Sequence, residues 1–468
     1  MTTVFSRTDS ILSGEIAALS AAVTGPVLQP GEPGYAQETA AFNLVHPQRP
    51  AVAVGASNPQ DVQAAVSFAA RHGMPVAVLA TGHGAVASSD GAVLINTSRM
   101  AGVAIDTEKN TARVEAGVRW KQVVDEAAKT GLAPLAGSSP DVGVVAYTLG
   151  GGLSPVLGRA HGYAADHVRS MDLVTADGRL RTVTPELEPE LFWALRGGKG
   201  NFGVVTAIEF DLFPVTRLYG GGLYFDGTDA AEVLTAWTKV IDAAPDDFSS
   251  SVVLLRVPDL PEVPQPLRGR FVVHVRVSHL GTETEAEARL APLRAAATPI
   301  VDMVGEMPFT AFAAIHNDPT GPLPAYERTA LLKEFTPEVI DVLVQRAGAN
   351  ATAPVAAVEI RMLGGALSRA PKVANVVDNR GAAFTVFAAD IAGPQDAARS
   401  LAALGELITA LEPWSTGSVY LNFMSVSEPA GSVRNAYRLE TYIHLLRAKK
   451  KYDPHNMFRI NHNLLAPA

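Results

Sequence analysis

The chain has 468 residues, of which 47% are hydrophobic and 18% charged, and its formal net charge is −9. This length predicts two or three domains with a sizeable core, and an acidic chain without a basic stripe argues against a nucleic-acid partner. The absence of cysteine excludes disulfides, thiol catalysis and cysteine-ligated metal sites. We find neither a secretory leader nor an apolar run long enough to span a membrane, so we expect a cytoplasmic protein.

Short apolar strands alternate with helices between residues 50 and 215. Strands are predicted at residues 52–54, 75–80, 93–96, 111–114, 172–175, 180–183 and 204–213, and helices at 58–73, 120–129 and 191–195. Asn58 supplies the N-cap of the first helix and Gly73 its end. The second strand leads into a glycine-containing loop at residues 81–84, and ligands bind at such strand ends in α/β folds. Asp177-Gly178 predicts a β-hairpin.

The character of the chain changes after residue 215. Strand candidates alternate there with alanine-rich helices, which predicts an antiparallel sheet covered by helices. A last helix begins near Tyr437, and its lysine run from Lys449 to Lys451 is predicted to be a solvated helix end. We therefore divide the chain into three parts, at residues 1–215, 216–415 and 416–468.

Three glycine clusters fall within the α/β region: Gly82 with Gly84, then Gly150 to Gly152, and finally Gly197, Gly198, Gly200 and Gly203. Glycine allows positive φ and lets bare N–H groups approach a phosphate, so the set favours a nucleotide site over ordinary turns. The G-x-G-x-x-G match at residues 198–203 follows a helix and precedes a strand, which is the reverse of the Rossmann order. No P-loop pattern is present.

Seven motifs carry a resemblance to a known family: Thr81-Gly82-His83-Gly84, Gly137-Ser138-Ser139-Pro140-Asp141-Val142-Gly143, Tyr147-Thr148-Leu149-Gly150-Gly151-Gly152, Phe192-Trp193-Ala194-Leu195-Arg196-Gly197-Gly198, Gly200-Asn201-Phe202-Gly203, Tyr452-Asp453-Pro454 and Asn461-His462-Asn463. In this order they resemble berberine bridge enzyme-like FAD oxidases of the vanillyl-alcohol oxidase superfamily. The resemblance implies an α+β protein with a PCMH-type, two-subdomain FAD-binding domain made from residues 1–215 and 416–468. Residues 216–415 would form an inserted α+β substrate domain with an antiparallel sheet.

The resemblance also implies that His83 bonds covalently to the flavin 8α-methyl group, and a neutral imidazole is a competent nucleophile for this. A hydrogen-bonding loop histidine is the alternative. Ser139 stands where many members make a second link through cysteine, so we expect a single link, as in the subgroup around 6-hydroxy-D-nicotine oxidase. Val142 falls where a small residue goes with oxidases and a bulkier one with dehydrogenases. The other FAD-binding residues implied are Thr81, Gly82, Gly84, Ala85, Ser88, Gly143, Thr148, Gly150, Gly151, Gly152, Gly203, Val205, Asn461 and Asn463.

Two residue pairs are candidates for catalysis. Alternation puts Glu359 and Arg361 on one strand face, and we predict Glu359 as a base whose pKa burial raises, with a surface ion pair as the alternative. Tyr420 and Asn422 are predicted to share a strand face beside the flavin, and Tyr420 could take a proton if Arg361 lowered its pKa. A core tyrosine is the alternative there, and His316 is left unassigned.

These expectations describe an FAD-dependent oxidase that transfers a hydride from a small alcohol, amine, sugar or natural-product intermediate of secondary metabolism to flavin N5. Molecular oxygen would reoxidise the flavin and give H2O2. A flavin or deazaflavin dehydrogenase with another acceptor, and a non-catalytic flavin-binding protein, stay open as alternatives. We expect a monomer or homodimer without metal.

Overall fold

Three β-sheets and the helices packed on them form the fold in the computed structural model, which describes residues 14–84, 86–425, 427–429 and 431–465. The strands are β1 Val27–Leu28, β2 Val52–Gly55, β3 Val76–Leu79, β4 Val93–Asn96, β5 Val103–Asp106, β6 Thr111–Glu115, β7 Val168–Val174, β8 Leu180–Val183, β9 Val204–Asp211, β10 Arg217–Asp226, β11 Phe248–Arg256, β12 Phe271–His279, β13 Val301–Asp302, β14 Gly305–Pro308, β15 Ala325–Leu332, β16 Ala357–Met362 and β17 Phe384–Ile391. The helices are α1 Tyr35–Glu38, α2 Pro59–His72, α3 Trp120–Ala128, α4 Val144–Leu149, α5 Gly158–His161, α6 Pro189–Leu195, α7 Ala230–Ile241, α8 Glu283–Ala296, α9 Pro337–Ala347, α10 Ala397–Ala410 and α11 Leu439–Tyr452. None of the helices in these described ranges is long and apolar enough to cross a membrane.

The first sheet has the order β1-β2-β4-β3, in which β2, β4 and β3 run parallel. Helix α2 joins β2 to β3, and the Asn58 side chain accepts a hydrogen bond from the Asp61 backbone N–H at 2.9 Å. Gly73, with φ of 64°, ends the helix. The predicted strand, helix, strand and loop are confirmed, and the loop that carries His83 follows β3 directly.

The second sheet is antiparallel and has the order β5-β6-β9-β7-β8. Strands β7 and β8 form the predicted hairpin, and Gly178 takes a φ of 74° in its turn. The core of this sheet includes Trp120 and Phe192 together with Leu445 and Tyr452 of α11. The C-terminal helix therefore packs against the N-terminal half of the chain.

The third sheet joins β10 to β17 in the order β13-β10-β12-β11-β16-β17-β15, with β14 on the edge of β10. All its pairings are antiparallel, so the predicted antiparallel α+β architecture is confirmed. Val275 and Ile360 lie on the face that packs against the helices. The alternate positions Arg276, Glu359 and Arg361 lie on the opposite face, because side chains alternate along a strand.

The expected strand around Tyr420 and Asn422 is wrong. Residues Leu421–Phe423 form a short 3-10 helix with Tyr420 at its N-cap. The Tyr420 side chain ties this turn to the Gly150 segment, because its hydroxyl oxygen accepts a hydrogen bond from the Leu153 N–H at 2.8 Å. Sequence alternation over so few residues does not distinguish this turn from a strand.

The lysine run of α11 is also placed differently from the prediction, because Lys449 is fully buried. Its Nζ lies 2.7 Å from the Asp453 carboxylate and donates to the Asn201 carbonyl at 2.8 Å. Only Lys450 and Lys451 are exposed. Lys449 thus ties the end of α11 to the glycine-rich segment at residues 197–203.

Candidate active site

His83 lies in the loop after β3 and stacks on Phe42, with 3.9 Å between the ring centroids. Its Nδ1 is 2.8 Å from the Thr81 hydroxyl, whereas its Nε2 is shielded and has no hydrogen-bond partner in the described part of the chain. Burial and the positive charge of Arg119 lower the pKa of His83 to about 4. The imidazole is therefore neutral at neutral pH, with one nitrogen free to react.

Two of the predicted motifs meet at this histidine. A Cβ at Gly143 would lie 3.7 Å from Ala80 and 3.8 Å from Thr81, so the segment at residues 137–143 runs directly beside the His83 loop. Gly82, with φ of 73°, has no room for a side chain because a Cβ would collide with Ala41. Gly82 thus lets the His83 loop pass close to the backbone of Ala41 and Phe42.

Three further predicted FAD-binding residues, Ser139, Val142 and Thr148, make contacts within the protein. Ser139 is buried, and its hydroxyl accepts from the Asp141 N–H at 3.3 Å. Val142 packs on the core of the second sheet while part of it stays exposed. The Thr148 hydroxyl donates a hydrogen bond to the Val144 carbonyl at 2.8 Å, one turn earlier in α4.

A second convergence occurs at the glycines that follow α4. A Cβ at Gly150 would collide with the Asn422 carboxamide oxygen and the Lys199 Cε. Gly151 and Gly152 take φ values of 110° and 75°, which L side chains rarely adopt. Three distant segments therefore meet at a point where only glycine fits.

The predicted C-terminal residues lie against the third glycine cluster. The Asn461 Nδ2 donates to the Phe458 carbonyl at 2.9 Å and lies 3.7 Å from where a Gly200 Cβ would stand. The Asn461 Oδ1 is buried without a partner among the described residues, and Asn463 donates its N–H to the Asn461 carbonyl at 2.8 Å. The other predicted positions lie as follows: Gly203 packs on the Val174 carbonyl, Val205 is buried opposite Leu173 in β9, Ser88 is partly buried, Gly84 is open to solvent, and Ala85 lies outside the described residues.

Glu359 lies on the polar face of the third sheet between two arginines, 3.0 Å from Arg276 Nη1 and 3.0 Å from Arg361 Nη2. Burial favours the neutral acid, but the two guanidinium groups hold the pKa of Glu359 well below its usual range. The expected burial-raised pKa is therefore wrong, and the carboxylate is ionised at neutral pH. His316 has its Nε2 3.9 Å from the same carboxylate, and burial lowers its pKa.

Tyr420 and Asn422 come together as predicted, although from a turn. The Asn422 Nδ2 donates to the Tyr147 carbonyl at 2.8 Å and to the Tyr420 hydroxyl at 3.2 Å. Burial raises the pKa of Tyr420 and outweighs the attraction of Arg361, so the condition under which Tyr420 could take a proton is not met. Arg361 lies 5.4 Å from the centroid of the Phe423 ring, which brings the third sheet against the 420–423 turn.

A small cavity of about 20 Å³ lies where these parts meet. The third sheet lines it with Leu331 and Thr385, and Gly150, Leu153 and Tyr420 line the other side. A cavity of this size has room for about one water molecule, and it marks the boundary between the Gly150 segment and the third sheet.

Sequence reasoning missed Arg276 and Lys199. Arg276 comes from β12, and no local motif marks it as a partner of Glu359. Lys199 interrupts the glycine run at residues 197–203, and a charged residue inside such a run is the signal that could have identified it.

Comparisons with known proteins identify an FAD-binding domain in this chain. A family model described as FAD binding domain matches residues 50–184, and a second, described as Berberine and berberine like, matches residues 419–464. The (R)-6-hydroxynicotine oxidase of Paenarthrobacter nicotinovorans is 28% identical over 457 residues, which cover 94% of this chain and 97% of the relative.

Solved structures share the fold. The 6-hydroxy-D-nicotine oxidase of Arthrobacter nicotinovorans superposes with a TM-score of 0.81 at 26% identity, covering 94% of this chain and 98% of that one. The xylooligosaccharide oxidase of Myceliophthora thermophila C1 gives a TM-score of 0.82 at 22% identity, covering 97% and 99% of the two chains. At that identity the second likeness concerns the fold alone.

Fold, site and comparisons define an FAD-linked oxidoreductase. The chain carries both domains that the motif resemblance to berberine bridge enzyme-like FAD-linked oxidoreductases predicted, and it is similar to such proteins over 94% of its length. The residues present fit the cofactor, because His83 offers an Nε2 that has no partner among the described residues, in a loop beside the segment at residues 137–143.

Proposed function

We propose that this chain is an FAD-dependent oxidase that carries its flavin on a single covalent bond from His83 and oxidises a small organic substrate, with O2 as acceptor and H2O2 as product. The unpartnered Nε2 of His83 carries the proposal. When Nδ1–H donates to the Thr81 hydroxyl, Nε2 holds a free lone pair. Attachment would form a bond between Nε2 and the flavin 8α-carbon. The methyl group and the imidazole would each lose one hydrogen, and O2 would take up both hydrogens with their electrons to give H2O2.

We assign residues 1–215 and 416–468 to the cofactor and residues 216–415 to the substrate. The packing of α11 against the core of the second sheet supports this division, and so does the polar face that the third sheet turns toward the 420–423 turn. The remaining FAD contacts are proposed as the sequence motifs gave them, at the loops beside His83, Gly150 and Asn461.

The bound flavin supplies a two-electron acceptor at N5, and the chain's own residues bind and orient the substrate. Arg361, held by Glu359, presents a fixed cation beside Phe423. The Tyr420 oxygen accepts hydrogen bonds from Leu153 N–H and Asn422 Nδ2. Its own O–H has no acceptor in the described part of the chain, and we assign it to contact the reacting oxygen or nitrogen. Glu359 acts as the anchor of Arg361 in this scheme, because a carboxylate with so low a pKa is a weak base.

The substrate is proposed to be a small alcohol, amine, sugar or natural-product intermediate. The name of one relative, a hydroxynicotine oxidase, points to amines as the first compounds to try. Ser139 lacks the thiol needed for a second link, which supports single attachment.

The experiment is aerobic turnover of the purified holoenzyme with a panel of amines, alcohols and sugars, following flavin bleaching and peroxide together. We expect one H2O2 per substrate oxidised, and Val142→Leu should slow reoxidation at least tenfold while flavin reduction stays unchanged. Flavin reduction without peroxide would favour a dehydrogenase. A deazaflavin in the cofactor extract, or flavin that no compound reduces, would each overturn the oxidase proposal.

A further inference from the structure

Lys199 occupies a position that is unusual for a lysine. It lies in the segment of residues 197–203, four of which are glycines, and its backbone takes a φ of 57°. For a residue with a Cβ this left-handed conformation costs roughly 1 kcal/mol or more. Glycine would fit the same backbone without that cost, so the side chain itself must contribute something that glycine does not.

The ammonium group of Lys199 is held at the centre of the glycine convergence. It donates to the Ala146 carbonyl within α4 at 3.2 Å, and to the Asn422 carboxamide oxygen in the 420–423 turn. Among the described residues no carboxylate lies within ion-pair distance of it. Burial lowers the pKa of Lys199 to about 7. A cation confined by neutral oxygens in this way favours an anionic ligand.

Lys199 also lies where the cofactor is expected. A Cβ at Gly150 would meet both the Lys199 Cε and the Asn422 Oδ1, and Gly150 lines the cavity shared with Leu153 and Tyr420. The Lys199 and Asn422 side chains therefore fill the space that the absent side chain of Gly150 leaves, and Lys199 lies directly against a residue that is proposed to contact FAD.

We propose that the Lys199 ammonium contacts the bound flavin ring and stabilises the negative charge that the ring gains on two-electron reduction. The inference rests on the proposed FAD site and adds to it a residue that sets the reduction potential. A charge near the ring is one of the ways in which a protein tunes a flavin. A purely structural lysine that only positions Asn422 is the competing explanation.

The test compares holoenzymes of the wild type, Lys199→Gln and Lys199→Arg. The glutamine keeps a donor for Asn422 without the charge, and the arginine keeps the charge. Sulfite bleaches oxidised flavin by adding its lone pair to the ring, which leaves negative charge on the ring, so its Kd reports the same stabilisation without substrate. We expect the Kd for sulfite to be at least tenfold higher in Lys199→Gln than in the wild type. The midpoint potential of the flavin should be lower by about 30 mV, because a tenfold change in an equilibrium constant corresponds to about 30 mV for a two-electron couple. Lys199→Arg should stay within about twofold of the wild type.

Two further variants serve as controls. Lys199→Gly suits the left-handed backbone and should show the same loss as Lys199→Gln, even if the glutamine folds poorly. Lys451→Gln removes an exposed lysine and should leave both readouts unchanged. Wild-type potential and sulfite affinity in Lys199→Gln would overturn the inference, as would an arginine variant that behaves like the glutamine. A wild type that binds no flavin would instead overturn the proposed function.

Discussion

The buried carboxylate of Asp453 fastens the C-terminal segment, and Asp453→Asn tests its contribution. Its Oδ2 lies 2.7 Å from Lys449 Nζ and accepts from the Phe458 N–H at 2.9 Å, while its Oδ1 accepts from the Met457 N–H at 2.7 Å. Both charged side chains are 0% exposed. Asparagine leaves the ammonium buried without a counter-charge and turns an amide group toward a donor that needs an acceptor.

The expected cost follows from these contacts. Removing one partner of a buried ion pair costs about 3–5 kcal/mol, since the other charge stays in the low-dielectric interior. The hydrogen bonds to the Met457 and Phe458 N–H groups weaken as part of the same change, so they are not added separately. A loss of about 4 kcal/mol is large beside a total stability of roughly 5–15 kcal/mol.

Urea unfolding of Asp453→Asn, Lys449→Met and the double variant gives a double-mutant cycle. We expect the double variant to lose less than the sum of the single losses, because no charge is then stranded. The exposed pair Lys121 and Asp125 has the same spacing and a 2.8 Å contact, and breaking it should cost under about 1 kcal/mol. Additive losses, or Asp453→Asn within about 1 kcal/mol of the wild type, would refute the reasoning.

Two further outcomes are expected. Burial raises the pKa of Glu327 to about 8, so between pH 4.5 and 8 the folded chain holds a proton that the unfolded chain releases, and the free energy of unfolding falls as the pH rises. Glu327→Gln should remove this pH dependence and raise the free energy of unfolding by roughly 1–3 kcal/mol at pH 8. Urea unfolding across pH measures both, and a difference between variant and wild type that does not change with pH would count against the prediction. Gly150→Ala should displace Asn422, lower the bound flavin per chain at least twofold and cost about 1–3 kcal/mol. Gly405→Ala, where a Cβ meets nothing within 4 Å, should leave flavin content unchanged, and equal flavin content in both variants would contradict the account.

Local signals in the sequence predicted local structure well. Asn58 caps α2 and Gly73 ends it, and Asp177-Gly178 turns the β7–β8 hairpin, because each depends only on neighbouring residues. The ordered glycine and histidine motifs likewise predicted the fold, since they are spread over nearly the whole chain.

The chemistry of the site depended on contacts between distant residues. The pKa of Glu359 is set by Arg276 on β12, and strand pairing rather than sequence spacing brings them together. The burial of Lys449 depends on Asn201, far away in the chain. Composition and periodicity describe neither contact, so these two residues were predicted with the wrong environment.

The proposed function depends above all on the bond expected between the His83 imidazole and the flavin. Precipitating the holoenzyme in acid, digesting it and separating the peptides by mass and fluorescence measures this directly. We expect the flavin on the single peptide that contains His83, its loss from the protein in His83→Ala, and its retention in His72→Ala. Flavin that is released entirely into the acid supernatant, or that travels with another peptide, would contradict the account.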